Sequence, residues 1–260
     1  MSVTVRLMGG LGNQMFQYAC GRALALRRNT SLLLDRDIYL SHDPKRKYGL
    51  DAFNIKEEFT DSSKVAHARV YREESLRFDP CILYLPDETV LQGYFQCASY
   101  WKDFKTEILS DFFLRSNSAR AWASRIAATE NSVAVHFRRT DNTDGSESAR
   151  FHGTPRMGYY DAAMEKLGNC SYFAFSDDPQ WVRENWFGGP VVEGCTPAED
   201  MFLMSLCRHA IIANSSFSLM ASLIGPYQRG GICIAPARWF LNEEAQAQSQ
   251  DIVPAGYICL

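Results

Sequence analysis

Short apolar runs alternate with amphipathic stretches along this chain, and the first such unit lies at the amino terminus. An alternating run over Val3–Met8 ends in glycines and leads into a helical pattern from Met15 to about Arg28. A second apolar run, Ser31–Asp35, follows the helix. A strand, a glycine-rich turn, a helix and a strand in this order predict the start of a parallel sheet.

The part of the chain that follows is less regular. The stretch 41–87 is polar and aromatic and is interrupted by prolines, which predicts irregular structure. Beyond it, Val90–Tyr94 has the pattern of a strand, and Trp101–Phe113 and Ser118–Thr129 have the pattern of helices.

The alternation of strands and helices returns in the second half. Strands are predicted at Val133–Phe137, Tyr172–Ser176, Val191–Glu193, Ala210–Ala213 and Gly231–Ala235. Helices are predicted between them at about Tyr159–Leu167, Pro179–Trp186, Pro197–Cys207 and Ser216–Ile224. Strands that alternate with helices of this length indicate a doubly wound parallel sheet.

Together the two halves predict an α/β fold of two Rossmann-like domains, whose parallel sheets face each other across a cleft. We expect the N-terminal domain to span 1–130 and the C-terminal domain to span 131–260. The polar stretch Glu243–Gln250 is expected to form a last surface helix, which could pack back on the N-terminal domain.

Composition narrows the class of protein. Hydrophobic residues make up 46% and charged residues 22% of the 260 residues, which are ordinary globular values. The net charge of −3 argues against a general nucleic-acid binder, because such proteins carry a basic excess. No run of about 18 apolar residues predicts a membrane span, and no signal-peptide pattern opens the chain. The eight cysteines include no C-x-x-C pair, so we expect no structural zinc site and a reduced, cytoplasmic protein.

Two adjacent arginines follow the first apolar run of the second half. Arg138 and Arg139 come at the carboxyl end of that predicted strand, where ligands bind in open α/β sheets. A guanidinium offers a fork of donors that matches phosphate oxygens. The pair predicts a diphosphate site, and the alternative is a strand end whose arginines pair with surface carboxylates.

Further polar groups follow other predicted strands or open predicted helices. Asp177 ends a strand, where a carboxylate can hold a ribose hydroxyl, the amino groups of a base or a divalent metal. Asn214, Ser215 and Ser216 join a strand to a helix N-terminus, which favours an anion, and Asp200 opens another helix. The structural alternatives are helix capping for the serines and a favourable interaction with the helix dipole for Asp200.

The glycine-rich turn Gly9-Gly-Leu-Gly-Asn-Gln14 is a further candidate site. Gly10 and Gly12 allow a tight turn before a helix N-terminus, and Asn13 adds amide groups suited to sugar hydroxyls or phosphate. The spacing is not G-x-G-x-x-G, so it favours a nicotinamide cofactor only weakly. The alternative role of Asn13 is capping the helix predicted from Met15. With the arginines, aspartates and serines, the turn completes the set expected of a nucleotide-diphosphate pocket.

In these segments the chain resembles the α-1,2-fucosyltransferase family, glycosyltransferase family 11. Six segments occur in family order over nearly the whole chain, and they are Gly9-Gly-Leu-Gly-Asn-Gln-Met-Phe-Gln-Tyr-Ala19, His136-Phe-Arg-Arg-Thr-Asp141, Phe175-Ser-Asp-Asp178, Asp200-Met-Phe-Leu-Met-Ser-Leu-Cys207, Ile212-Ala-Asn-Ser-Ser-Phe-Ser218 and Ile234-Ala-Pro-Ala-Arg-Trp-Phe240. The sequence departs from the family pattern at Thr140, where a glycine is usual, and at Leu219 and Met220, where tryptophans are frequent.

The resemblance implies a GT-B fold and inverting transfer of L-fucose from GDP-β-L-fucose to a hydroxyl of a glycan acceptor, with O2 of a galactoside as the favoured position. It implies that no metal and no cofactor is needed. The implied donor-binding residues are His136, Arg138, Arg139, Asp177, Asp200, Asn214, Ser215, Ser216, Gly10 and Gly12. Of these, Arg138 would contact the leaving phosphate. Asn13, in the glycine turn, would face the reacting centre.

The residue that accepts the proton of the acceptor hydroxyl is left open. Asp144, Glu147 and His152 follow the arginine segment and could act as a general base. The departing phosphate is an equal alternative. We carry Asp144 and Glu147 as catalytic candidates beside Arg138 and Asn13.

Other functions remain open from the sequence alone. A related enzyme could form a different linkage or act on a protein hydroxyl. A Rossmann oxidoreductase would bind NAD(P) at Gly9–Gly12, and a non-catalytic module would bind a sugar nucleotide or glycan without turnover. The expected partners are GDP-fucose and a glycan acceptor, with peripheral membrane contact an option and the oligomeric state open.

Overall fold

Two parallel β-sheets organise the chain, and each belongs to its own unit. The computed structural model describes residues 1–41, 46–56, 58–61, 63–65, 67–140 and 145–260. Its first unit is Met1–Ser116 and its second unit is Asn117–Leu260. The segment 117–130, which we expected in the N-terminal domain, therefore lies in the second unit.

The first unit contains five parallel strands among the described residues. They are β1 (Ser2–Arg6), β2 (Ser31–Asp35), β3 (Phe59–Thr60), β4 (Arg69–Arg72) and β5 (Thr89–Gln92). Their spatial order is β3-β2-β1-β5-β4, and Val3 and Val5 of the central strand are completely buried. The strands β3 and β4 interrupt the stretch 41–87, where we expected irregular structure. They are too short for a periodic pattern to reveal them.

Helix α1 connects the first two strands and places the glycine turn at the carboxyl end of β1. The helices of this unit are α1 (Leu11–Arg28), α2 (Asp37–Ser41) and α3 (Lys105–Asp111). A Cβ atom on Gly21 would lie 2.1 Å from Cγ2 of Val5, so α1 can approach β1 this closely only with glycine there. The predicted helix Trp101–Phe113 is shorter, because a 3₁₀ turn at Lys102–Phe104 precedes α3.

The second unit contains a sheet of the same kind. Its described strands are β6 (Ser132–Phe137), β7 (Ser171–Ser176), β8 (His209–Ile211), β9 (Cys233–Ala235) and β10 (Ile258–Cys259). They are parallel, in the order β10-β9-β8-β6-β7. All residues of β6 are buried, as expected of a strand covered on both faces. The predicted strand Val191–Glu193 is only a single bridge between Val191 and Ala174.

Helices connect the strands of the second sheet and cover it. They are α4 (Arg120–Ala127), α5 (Glu147–His152), α6 (Met157–Leu167), α7 (Pro179–Asn185), α8 (Pro197–Leu206), α9 (Ser216–Ile224) and α10 (Glu243–Gln248). The four helices that we predicted between the strands are confirmed, with ends that differ by two residues or fewer. No helix in the described part of the chain is long and apolar enough to cross a membrane.

Candidate functional site

Asp177 holds the turn that carries the two arginines. The turn follows β6, and Asp177 follows the neighbouring strand β7. The Oδ2 atom of Asp177 lies 2.8 Å from Nη1 of Arg138 and accepts a hydrogen bond from the Thr140 hydroxyl at 2.5 Å. Its Oδ1 atom accepts from the backbone N–H of Arg139 at 2.8 Å. Both carboxylate oxygens are therefore engaged by the turn, and they orient Arg138.

Arg139 has a different environment from its neighbour. Its guanidinium carbon lies 3.8 Å from the ring centroid of Trp181 in α7, which is cation–π geometry. Stacking on an aromatic face restricts the guanidinium of Arg139. The alternative of arginines paired with carboxylates is thus seen at Arg138, which pairs with Asp177, and Arg139 is in addition held against an aromatic face.

His136 is buried just before the turn. It is 4% exposed, its ring centroid lies 5.5 Å from that of Phe217, and its Nδ1 atom has no hydrogen-bond partner among the described residues. Burial lowers the pKa of His136 to about 4, although the charge of Asp177 opposes this shift and that of Arg138 adds to it. The imidazole is neutral near pH 7 and offers an unsatisfied polar atom at the carboxyl end of β6.

Two adjacent carboxylates open α8 and have opposite environments. Glu199 forms a capping box with Thr196 and also accepts a hydrogen bond from the backbone N–H of Ser118. Asp200 is largely buried, and its Oδ1 atom has no hydrogen-bond partner. Burial, and then the charge of Glu199, raise the pKa of Asp200 to about 7. Glu199 has a structural role, whereas Asp200 is a buried acid without a described partner for that oxygen.

Asn214 joins three loops behind the start of α9. Its Nδ2 atom lies within hydrogen-bond distance of the carbonyl oxygens of His152, Gly153 and Trp239, at 3.0, 3.2 and 3.0 Å. Its Oδ1 atom is buried and has no hydrogen-bond partner in the part of the chain that the structure describes. Asn214 thus positions segments around the carboxyl end of β8 and leaves one acceptor unsatisfied.

The two serines after Asn214 lie at the N-terminus of α9. Ser215 is the N-cap, and its hydroxyl accepts a hydrogen bond from the backbone N–H of Phe217. Ser216 is the first helical residue. The capping alternative is therefore correct for Ser215, and a cap can still present its helix N-terminus to an anion.

The glycine turn lies in the first unit, and α1 begins earlier than we predicted. Gly9 has φ of +79°, Gly10 is the N-cap, and the first helical residue is Leu11. Asn13 therefore lies in the first turn of α1 and does not cap a helix that starts at Met15. Glycine is among the residues favoured at the N-cap, so the helix can begin at Leu11 without a capping side chain.

Asn13 is held by a residue that our sequence reasoning missed. The Nε2 atom of Gln96 donates a hydrogen bond to Oδ1 of Asn13 at 2.8 Å. A Cβ atom on Gly9 would lie 2.5 Å from Nδ2 of Asn13, so the glycine makes room for this amide. Gln96 and Asn13 are 83 positions apart, and no local pattern in the sequence signals their contact. Gly12 is buried within the same turn of helix.

The structure describes Glu147 and His152, which are two of the three candidates for a general base. Asp144 lies outside the described residues. Glu147 opens α5, where Ser146 is the N-cap, and His152 closes it. The backbone carbonyl of His152 accepts from Asn214, which ties α5 to the carboxyl end of β8.

Comparison with known proteins agrees with these features. The model of glycosyl transferase family 11 matches residues 1–259. An alpha-1,2-colitosyltransferase of Escherichia coli is 34% identical over 278 residues, which cover 94% of each chain. A galactoside alpha-(1,2)-fucosyltransferase 2 of Sus scrofa is 26% identical over 92% of this chain and 73% of its own.

Solved structures share the fold at low sequence identity. Fucosyltransferase NodZ from Bradyrhizobium has a TM-score of 0.53 at 17% identity and covers 86% of this chain and 92% of its own. A mutant of FUT1 from Arabidopsis thaliana in complex with GDP has a TM-score of 0.52 at 12% identity and covers 97% of this chain and 74% of its own. The predicted α/β class of GT-B type, with two parallel sheets, is confirmed.

Proposed function

Because this chain belongs to glycosyl transferase family 11, we propose that it transfers L-fucose from GDP-β-L-fucose to a hydroxyl of a glycan acceptor. The favoured position is O2 of a galactoside, since relatives of both bacterial and mammalian origin carry alpha-1,2 linkages in their names. The reaction inverts the anomeric configuration and gives an α-linkage.

The observation that carries the donor proposal is a set of buried polar atoms in the second unit that have no hydrogen-bond partner among the described residues. Nδ1 of His136, Oδ1 of Asp200 and Oδ1 of Asn214 are each buried and unsatisfied within the described part of the chain. Unsatisfied buried polar atoms are costly, on the order of 1–3 kcal/mol each, and are usually explained by a ligand or water. Three of them in the unit that also carries the arginine turn support a polar, anionic ligand such as GDP.

Within this proposal, Asp200 is the natural acceptor for the guanine base. The Watson–Crick edge of guanine offers an N1–H and an N2–H₂ as neighbouring donors, which a carboxylate can accept together. His136 and Asn214 would complete the contacts to the nucleoside. Asp177 contributes by orienting Arg138, because its oxygens are engaged by the turn.

Arg138 would stabilise the leaving group. When the bond between fucose and GDP breaks, the β-phosphate gains negative charge while positive charge builds on the sugar ring. A guanidinium already fixed by Asp177 meets that charge without reorganising, which is the basis of electrostatic catalysis. Arg139, Ser215 and Ser216 would bind the remaining phosphate oxygens, the serines through the helix N-terminus.

The acceptor hydroxyl loses its proton as it attacks the anomeric carbon. Asp144, Glu147 and His152 remain candidates for the base, and a phosphate oxygen of the departing GDP is the alternative. Since arginines neutralise the phosphates, we propose that transfer needs no divalent metal.

A second donor is favoured by one specific finding. The relative at 34% identity is a colitosyltransferase, and colitose is the counterpart of L-fucose that lacks the 3-hydroxyl. A site that binds the GDP part in the same way could take either sugar. GDP-colitose is therefore the second candidate donor.

Ligand-induced stabilisation tests the donor class. We expect GDP, at a hundredfold excess over its Kd, to stabilise the protein by about 2.7 kcal/mol, and GDP-fucose to act similarly. UDP-galactose serves as a control for recognition of the guanine base, and NAD serves as a control for the oxidoreductase alternative. A shift with NAD and none with GDP would overturn the proposal.

A further inference from the structure

The amide of Asn13 has a defined orientation, because only one of its two polar atoms has a partner. Gln96 Nε2 donates to Oδ1 of Asn13 at 2.8 Å. No described residue accepts from Nδ2 of Asn13, so its two N–H donors are available. An amide whose oxygen is fixed in this way directs its NH₂ group away from Gln96. The Gln96 contact thus decides whether position 13 offers a donor or an acceptor.

The loop that carries Gln96 is held in an unfavourable backbone conformation. Phe95 has φ of +51°, in the left-handed region, which is unfavourable for a non-glycine residue. The carboxylate of Glu73 accepts hydrogen bonds from the backbone N–H groups of Tyr94 and Phe95, at 2.6 and 3.0 Å. The ring of Phe95 is completely buried. The surrounding structure therefore imposes this conformation on the loop.

A second tie fixes the same loop to α1. Gln17 Nε2 donates to the carbonyl oxygen of Gly93 at 3.0 Å, while Gln17 Oε1 accepts from the backbone N–H of Met8. Gln17 lies one helical turn after Asn13. Helix α1, the end of β1 and the loop after β5 are thus joined by hydrogen bonds of Gln17, in addition to the contact between Gln96 and Asn13. These neighbouring hydrogen bonds help to hold Gln96 and Asn13 in place.

We propose that Gln96 is a positioning residue, which orients the Asn13 amide with its NH₂ toward the substrate. This inference rests on the proposed function and on the place of Asn13 at the reacting centre, which the family resemblance implies. An N–H donor there can stabilise the negative charge that develops on an oxygen of the leaving phosphate. Gln96 itself does not contact substrate.

Substitutions at position 96 separate the two orientations. Gln96→Leu removes the donor to Asn13 and keeps most of the side-chain volume. Gln96→Glu offers only acceptors, so the Asn13 amide turns over, donates Nδ2 to the new carboxylate and presents Oδ1 outward. We expect kcat to fall on the order of tenfold or more in both variants, while KM for the donor stays within about twofold.

The first measurement does not depend on turnover. In protein labelled with ¹⁵N on asparagine and glutamine side chains, the Asn13 NH₂ signals are assigned by their loss in Asn13→Ala. We expect them to move in Gln96→Leu and to remain in place in the matched control Gln92→Leu. Gln92 is at the same sheet edge and pairs with Arg6 and Arg72, without contact to Asn13. Unmoved Asn13 signals in Gln96→Leu would overturn the proposal.

The second measurement is a double-mutant cycle on kcat. Gln96→Leu is expected to have no further effect in the Asn13→Ala background, because there is no amide left to orient. The same loss in both backgrounds would mean that Gln96 acts independently of Asn13, which contradicts the proposal. If the wild-type chain transferred no sugar, the proposed function would fail, and the NMR comparison would still decide whether Gln96 orients Asn13.

Discussion

Arg138 is prepared for its proposed role before any ligand arrives. The ion pair with Asp177 fixes the guanidinium, and the Arg139 N–H and the Thr140 hydroxyl fix the carboxylate in turn. Thr140 is one of the positions at which the sequence departs from the family pattern. Its hydroxyl adds a hydrogen bond that glycine could not make, so the departure strengthens the arginine turn.

Removing the Arg138 guanidinium should reduce catalysis far more than stability. We expect Arg138→Ala to lower kcat on the order of 10²- to 10³-fold, because one preorganised donor to the developing charge is lost. Arg138→Lys should recover only part of this loss, since an ammonium lacks the planar fork. The measurements are steady-state kinetics and thermal unfolding.

The matched control is Arg183→Ala. Arg183 is an exposed arginine on α7 that pairs with Glu193 at the surface, so its loss should leave kcat unchanged. Near-normal turnover by folded Arg138→Ala protein would show that the phosphate assignment is wrong.

The pKa of Asp200 predicts a pH dependence of donor binding. With a pKa of about 7, this carboxyl is neutral at pH 6 and charged at pH 8. Only the charged form accepts both guanine donors, so the Kd for GDP-fucose should be about tenfold higher at pH 6 than at pH 8. The diphosphate of a GDP-sugar does not titrate in this range, which makes it a better probe than GDP. Calorimetry at a series of pH values measures the effect.

The Asp200→Asn variant provides the control and a second readout. It should bind GDP-fucose with an affinity that does not change between pH 6 and 8. The raised pKa also means that the folded state loses stability as pH rises from about 4 to 7. Asp200→Asn should therefore raise the free energy of unfolding more at pH 8 than at pH 4, by up to about 4 kcal/mol. An identical pH dependence in variant and wild type would contradict the assignment.

At the scale of elements, Asn214 joins three segments that the sequence separates widely. The carbonyls of His152, Gly153 and Trp239 all depend on one side-chain amide, so the end of α5 and the segment after β9 are held against the start of α9. We had predicted Asn214 as a donor-binding residue. Its Nδ2 instead supports the scaffold of the site, while its Oδ1 remains a candidate contact.

Asn214→Ala should therefore destabilise the second unit. Without this amide, the carbonyls of the three segments lose hydrogen bonds that they accept from Asn214, and we expect the free energy of unfolding to fall by about 2–4 kcal/mol. The comparison is Ser215→Ala at the adjacent position, where loss of an N-cap typically costs about 1 kcal/mol. Urea denaturation measures both. Equal losses in the two variants would argue against the joining role of Asn214.

How well the secondary structure could be predicted from the sequence depended on the kind of element. Strands and helices of the second half were predictable, because buried strands are uniformly apolar and the helices between them are periodic. The strands β3 and β4 and the helix α5 were missed, since they are short and mostly polar. The start of α1 was placed too late because Asn13 has the side chain of a cap, yet its amide is bound by Gln96.

The composition of the candidate site was predictable, but its internal contacts were not. The arginines, aspartates and serines follow strand ends that the pattern reveals. The engagement of both Asp177 oxygens and the lack of a partner for Asp200 Oδ1 depend on side-chain packing, which a single sequence does not encode locally. The same holds for the stacking of Arg139 on Trp181.

For the whole molecule, membership of glycosyl transferase family 11 indicates glycosyl transfer, and the donor is the central question. The proposed contacts to GDP lie in the second unit, and the Gln96–Asn13 pair lies in the first. The proposals on the sugar, the acceptor and the metal requirement all concern the complete reaction. A binding measurement alone cannot decide among them, whereas product analysis can.

The most direct test is transfer by the complete chain in the presence of EDTA. GDP-fucose and GDP-colitose are each supplied with a β-galactoside acceptor, and the products are identified by mass spectrometry and by NMR of the new linkage. We predict release of GDP and an α-fucosyl group on O2 of the galactoside, at a rate that EDTA does not reduce. Transfer from GDP-colitose with none from GDP-fucose, or no transfer from either donor, would contradict the account.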